Sequence, residues 1–135
     1  YSSSGKLFTT GNNEFCLSPT SEEAMLTFIK NALTSYKDLP VTMYQIGSKF
    51  RNENQTYGGL LRSKEYRMMD AYSFHQSESS LKENYHGLKN VFYEIFEKLG
   101  LRVIPVNTSN KNIKSFYTEE FVLLTKKGQD VILVD

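Results

Sequence analysis

An α+β fold, an antiparallel β-sheet with helices packed on it, is predicted by three features of the sequence. Residues 41–51 alternate with a period of two, a second strand-like run ends near Phe74, and two long segments with helical apolar spacing flank this pair. The 135 residues fall in the size range of one domain, and 39% hydrophobic with 23% charged residues is an ordinary globular composition. A net charge of +1 provides no footprint from which nucleic-acid binding could be argued. Cys16 is the only cysteine, which excludes an intramolecular disulfide and a cysteine-based zinc framework and fits a reducing, cytoplasmic compartment. There is no apolar run of about 18 residues, and the first residues lack a signal-peptide pattern, so no membrane association is expected.

Taken in order, residues 1–15 read as loop and turn, with Gly11-Asn12-Asn13 a hairpin connection into a short strand around 15–17. Cys16 is expected there as a small buried residue. A helix follows, because Met25, Phe28, Ile29, Ala32, Leu33 and Tyr36 recur at three-and-four spacing with Pro40 just beyond the end; it should pack on a sheet. From Val41 the period changes to two. Tyr44, Ile46 and Phe50 form the face expected to be buried, and Gln45, Gly47, Lys49 and Arg51 the open, chemically equipped one. Residues 52–61 are polar and carry Gly58-Gly59, the pattern of a hairpin loop leading into an antiparallel second strand. The second long helix should start near Ser77, carry Leu81, Tyr85, Leu88, Phe92, Ile95, Phe96 and Leu99 along one stripe, and stop at Gly100. Beyond it, residues 101–106 read as a strand, the stretch to Ser115 as a loop, and residues 119–135 as a hairpin turning at Lys127-Gly128.

Individually, the chemistry-bearing residues have ordinary explanations. An arginine ending an amphipathic strand is usually a solvent-facing cation, and Gly58-Gly59 marks a turn. Thr20-Ser21-Glu22-Glu23 is a capping box with Thr20 as N-cap and Glu23 at N3. His75 reads as a hydrogen-bonded structural histidine and His86 as a helix residue. In combination, arginines on both sides of a glycine-containing hairpin suit the holding of a polyphosphate.

The segments LSPTSEE, YQIGSKFRNE and GGLLRSKEYRMMDAYSFH, in this order and at these intervals, resemble the bacterial-type prolyl-tRNA synthetases, a family of class II aminoacyl-tRNA synthetases. Phe50-Arg51-Asn52-Glu53 matches the Phe-Arg-x-Glu that closes the first strand of the class's second motif, and the resemblance covers essentially the whole chain. It implies a proline-tRNA ligase that uses ATP and Mg²⁺ to form prolyl-adenylate and passes the acyl group to tRNA(Pro). It further implies that Arg51 bridges the α-phosphate and the amino-acid carboxylate as the catalytic residue. Glu53 would lie near the adenine amino group and the tRNA terminus, Arg62 would reach the outer phosphates, and Tyr66, where phenylalanine is more usual, would stack on adenine. Thr20 and Glu22 would hold the proline nitrogen, with Tyr72, Phe74 and His75 at the pocket wall and no metal bound by protein side chains.

On the same resemblance, residues 1–135 are expected to be part of a catalytic domain, with the motif 2 hairpin at about 41–75. Motif 1, motif 3 and the anticodon-binding domain would lie elsewhere in a homodimeric cytoplasmic parent, and the fragment would be inactive alone. Two departures stand out. Ser18 replaces the usual glycine before Pro19-Thr20, and NKNIKSFYTEEF replaces a glycine-rich segment ending in Ser-His-Glu-Phe, so Glu119 stands at the histidine position. Lost glycines mean lost close backbone approach, which is the feature that favours an alternative, a non-catalytic synthetase-like binding or regulatory module. Another class II synthetase, such as the threonine or serine enzyme, is a third reading; the threonine enzymes ligate zinc, for which no Cys/His set is present.

Overall fold

The protein is described here by a computed structural model covering residues 7–108, 118–128 and 130–133. It divides into two compact units, Tyr1–Leu81 and Lys82–Asp135. The elements are helix α1 (Glu22–Ala32), strands β1 (Val41–Phe50) and β2 (Glu65–Phe74), helix α2 (Glu78–Lys98), and strands β3 (Val103–Asn107) and β4 (Glu119–Leu123). Each pair of strands is an antiparallel two-stranded sheet, β1 with β2 and β3 with β4, as the α+β class requires.

In the first unit, residues 8–17 form the expected small hairpin. Thr10 N donates to Phe15 O and Leu17 N to Phe8 O, and Asn13 takes the left-handed backbone (φ 57°) that asparagine tolerates at a turn. Cys16 is exposed, contrary to its expected burial; it pairs with Thr9 in an isolated bridge and lies outside the named strands. Helix α1 is shorter than the apolar spacing suggested. It ends at Ala32, and Tyr36 falls in a separate 3₁₀ turn, Tyr36–Asp38, closed by a capping box between Ser35 and Asp38. Of the predicted stripe Ile29 is buried, whereas Phe28 and Tyr36 are exposed.

The β1–β2 register runs from Val41 opposite Phe74 to Phe50 opposite Glu65, so Met43, Gln45, Gly47 and Lys49 share a face with Tyr72, Asp70, Met68 and Tyr66. The alternation was legible, but its polarity is reversed. Lys49 is fully buried, while Tyr44 and Ile46, expected inside, are 71% and 57% exposed. Burial follows the segment before α1, which attaches to the Lys49 face and leaves the aromatic face uncovered. The connecting hairpin is closed at its tip by paired Tyr57 and Arg62 backbones, with Gly58 and Gly59 both at positive φ (59° and 65°), a conformation that favours glycine.

Helix α2 starts as expected, Ser77 Oγ accepting from Ser80 N, and is terminated by Gly100 at φ 70°. In the second unit Phe92, Tyr93 and Phe96 pack their rings around Phe121 of β4, with centroids 5.0–5.8 Å apart. Leu81, Ile95 and Leu99, the edge of the predicted stripe, stay exposed. The expected hairpin within 119–135 is not formed among the described residues: β4 pairs with β3 instead, and 131–133 carry no strand. A turn does occur near Lys127, where Gly128 N donates to Thr125 O. The loop expected up to Ser115 lies largely in residues 109–117, outside those described. No described helix is long and apolar enough to cross a membrane.

Glu119, at the start of β4, is held by α2. Its Oε2 accepts from Tyr85 Oη at 2.7 Å, and its Oε1 pairs with Lys89 Nζ. Burial first, then the hydrogen bond to this carboxylate, pushes the Tyr85 phenol up to about 12, while Lys89 and then Tyr85 hold Glu119 below its ordinary 4.5. Tyr85, with its folded value raised above 10, contributes stability that is complete below pH 10 and is lost as pH rises through about 12. Glu119, with its value depressed, contributes above pH 4.5 and loses that contribution as pH falls through its lowered value. Ultraviolet titration should therefore find Tyr85 ionising near 12, and Glu119→Gln should return it toward 10; an unchanged midpoint in that variant would remove Glu119 as a cause.

Candidate active site

Three consecutive residues at the end of β1 fasten the segment that precedes α1. Lys49 Nζ donates to Ser21 Oγ at 2.6 Å, Phe50 N donates to Ser18 O at 2.9 Å, and Arg51 Nε donates to Pro19 O at 3.1 Å. Within the segment, Ser18 Oγ donates to Thr20 O at 2.6 Å. The Ser18 hydroxyl thus closes the turn it occupies.

Ser21, not Thr20, is the N-cap of α1, and it makes no side-chain capping bond. The predicted capping box fails because the Ser21 hydroxyl is directed to Lys49 and the helix begins one residue later than Thr20 would require. Lys49 also meets Asp70 Oδ2 at 2.9 Å, with side-chain exposures of 0% and 6%. Tyr72 Oη donates to the same Oδ2 at 3.2 Å, and Asp70 Oδ1 is buried without a hydrogen-bond partner. A fully buried ammonium is tolerable only with such a carboxylate and hydroxyl around it.

Thr20 and Glu22 flank Ser21, one half-buried and the other exposed. Both act on Tyr72: its phenol is raised above its ordinary 10.0 first by burial, and then by the negative charges of Glu22 and Asp70, while a hydrogen bond to Thr20 opposes the rise. Thr20 and Glu22 thus flank the Ser21–Lys49–Asp70 contact, which Tyr72 joins through Asp70 Oδ2. Arg51 and Tyr66 form a second group. The guanidinium carbon lies 5.6 Å from the ring centroid, a cation–π distance, and its Nε is already oriented by Pro19 O. Pro19 is thus the link between the two groups.

The remaining predicted residues are more dispersed. Glu53 follows β1, its N–H donating to Arg51 O at 2.7 Å, and Arg62 is exposed at the hairpin tip. Phe74 stands on the Tyr72 face at the end of β2, opposite Val41. His75 is half-buried, with Nδ1 2.8 Å from Ser80 Oγ and Nε2 buried without a partner. Among the described residues, no group of three or more His, Cys, Asp or Glu side chains is arranged to hold a metal ion.

Sequence reasoning assigned no role to Ser21, Lys49 or Asp70. The register shows part of this: Lys49 and Asp70 are opposite charges on the same face, but Asp70 faces Gln45 and not Lys49, so the two meet only with both side chains extended along the sheet.

Comparison with known proteins shows the family. The profile of the tRNA synthetase class II core domain (G, H, P, S and T) family matches residues 6–129. The proline–tRNA ligase of Staphylococcus haemolyticus is 41% identical over 128 residues, which are 95% of this chain and 23% of that protein. That of Macrococcus caseolyticus is 44% identical over 119 residues, 88% of this chain and 21% of that protein. The chain thus spans between a fifth and a quarter of the length of these relatives. Among solved structures, the prolyl-tRNA synthetase of Cryptosporidium parvum complexed with L-proline and AMP superposes with a TM-score of 0.73 at 21% identity, covering 87% of this chain and 26% of that one. This last likeness is one of fold.

Removing the Lys49 charge while leaving Asp70 buried should be severe. Lys49→Met is expected to cost about 3–5 kcal/mol in urea unfolding, as for other broken buried pairs. Most of that loss should return in Lys49→Met/Asp70→Asn, where no unpaired charge remains; a Lys49→Met variant of unchanged stability would show the pair to be energetically idle.

Proposed function

We propose that this chain, which belongs to the tRNA synthetase class II core domain family, is the proline-activating part of a proline–tRNA ligase. It would help form prolyl-adenylate from proline and ATP, for transfer to tRNA(Pro). The observation that carries this reading is the fastening of residues 18–21, which hold Thr20 and lead into Glu22, to the strand end that holds Arg51, through Lys49 Nζ to Ser21 Oγ and Arg51 Nε to Pro19 O. Similarity to the proline–tRNA ligases over most of the chain supports the choice of substrate.

Proline presents a secondary ammonium with two N–H donors and one positive charge. A Thr20 hydroxyl and a Glu22 carboxylate satisfy both donors and the charge together. Its ring is small and apolar, and Tyr72, Phe74 and His75 supply the wall. Arg51 would use its planar fork to bridge the proline carboxylate and the α-phosphate, which a lysine's single point charge could not do. In-line attack of the carboxylate on the α-phosphorus then expels pyrophosphate. The attacking group is already ionised, so no general base is needed, and positioning with charge stabilisation carries the step. Tyr66 would stack on adenine, Glu53 would meet its amino group, and Arg62 would reach the outer phosphates from the hairpin tip.

Mg²⁺ enters this scheme as the counter-ion of ATP, held chiefly by phosphate oxygens; this suits a hard cation that keeps few protein ligands. A cytoplasmic, homodimeric parent, in which motif 1, motif 3 and an anticodon-binding domain complete the enzyme, belongs to the same reading.

The test is proline-dependent exchange of pyrophosphate into ATP by the full-length protein that contains this chain. Arg51→Lys is expected to lower the exchange rate by roughly 10²–10³-fold, the scale for losing one oriented donor to a developing charge. Glu22→Gln should instead raise KM for proline with KM for ATP little changed. An unsubstituted protein with no proline-dependent exchange would defeat the enzyme reading and leave a binding module in its place.

A further inference from the structure

Lys49 sits at the meeting point of two local sacrifices. Ser21 gives up the capping bond that an N-cap serine ordinarily makes, directing its hydroxyl to Lys49 Nζ instead. Asp70 keeps one buried oxygen without a partner while its other oxygen receives both Lys49 and Tyr72. Local rules broken together at one place usually mark a functional demand. The demand here is geometric, because Ser21 lies between Thr20 and Glu22, and fixing its side chain against the sheet fixes the backbone from which both neighbours project. It is also electrostatic. Lys49 neutralises Asp70 in a 2.9 Å ion pair, leaving the exposed Glu22 as the carboxylate available to a cation.

We propose that Lys49, held between Ser21 and Asp70, is the positioning residue of the ammonium clamp: it touches no substrate, fixes Thr20 and Glu22 through Ser21, and keeps Asp70 from competing with Glu22. This rests on the reading of Thr20 and Glu22 as the proline-nitrogen site.

Two substitutions in the full-length protein test it without leaving a lone buried charge. Ser21→Ala removes the bond to the clamp and retains the Lys49–Asp70 pair, and Lys49→Met/Asp70→Asn removes both charges. Each is expected to raise KM for proline by roughly 10-fold in pyrophosphate exchange while KM for ATP stays within about 2-fold, the pattern of one lost binding contribution. A purely structural pair would give the opposite result in the double variant, with KM for proline restored along with folding stability. Unchanged KM for proline in both variants, or equal increases for both substrates, would overturn the proposal. Hydrogen exchange at the Phe50 amide, which donates to Ser18 O, gives a readout independent of activity. Ser21→Ala should accelerate it by about 10-fold if Lys49 holds the segment down, and unaltered protection overturns the proposal even where the unsubstituted protein exchanges no pyrophosphate.

Discussion

Burial of the Lys49 ammonium is the constraint around which the first unit is organised. A charge with no exposed side-chain surface must have a carboxylate and a hydroxyl at fixed distances. Asp70 supplies one from β2 and Ser21 the other from the start of α1. The Asp70 contact depends on the hairpin register, since a slip of one residue would send Asp70 to the opposite face. The Ser21 contact depends on the segment 18–21 lying against the end of β1, where the bonds from Phe50 and Arg51 also hold it. Strand register, the helix start and the candidate site are thus three consequences of satisfying one buried cation.

The elements themselves were readable because they rest on local patterns. Period-two alternation gave β1, Gly58-Gly59 the hairpin, and the Tyr85–Leu88–Phe92–Phe96 spacing the covered face of α2. What the sequence could not convey was which face of β1 is covered. Tyr44 and Ile46 are more apolar than Gln45 and Lys49, so the hydrophobic pattern pointed to the wrong side. The choice is made by a contact between residues 21 and 49, nonlocal and polar, to which apolar periodicity is blind. The failed capping box has the same origin: Thr20 and Glu23 had suitable spacing, but the hydroxyl of the intervening Ser21 was worth more to a buried lysine than to the helix end. Strand β4 was assigned the wrong partner for a related reason. Its neighbour β3 lies before a long connection, and sequence proximity favoured the residues after Lys127.

The departure at Glu119 has a physical counterpart. Carboxylate in place of histidine introduces a negative charge at the edge of β4, and Lys89 and Tyr85 of α2 are placed to receive it. The pair is partly buried, and its hydrogen bonds use both carboxylate oxygens. Glu119 is therefore committed to joining β4 with α2, as Phe121 of the same strand does through the rings of Phe92, Tyr93 and Phe96. A side chain so engaged serves the second unit as a packing element.

Pro19 shows why the two halves of the candidate site need not be treated as independent. Its carbonyl orients Arg51, the group suited to phosphate, and its neighbour Thr20 belongs to the group suited to an ammonium. A displacement of segment 18–21 would shift both sets of contacts at once, since Lys49, Phe50 and Arg51 all bond to it. Joining a carboxylate to a phosphorus in line tolerates little error in the relative placement of the two reactants. A short turn tied by Lys49, Phe50 and Arg51 would limit that error, because the two proposed sites are then both set by the end of β1 and the residue after it.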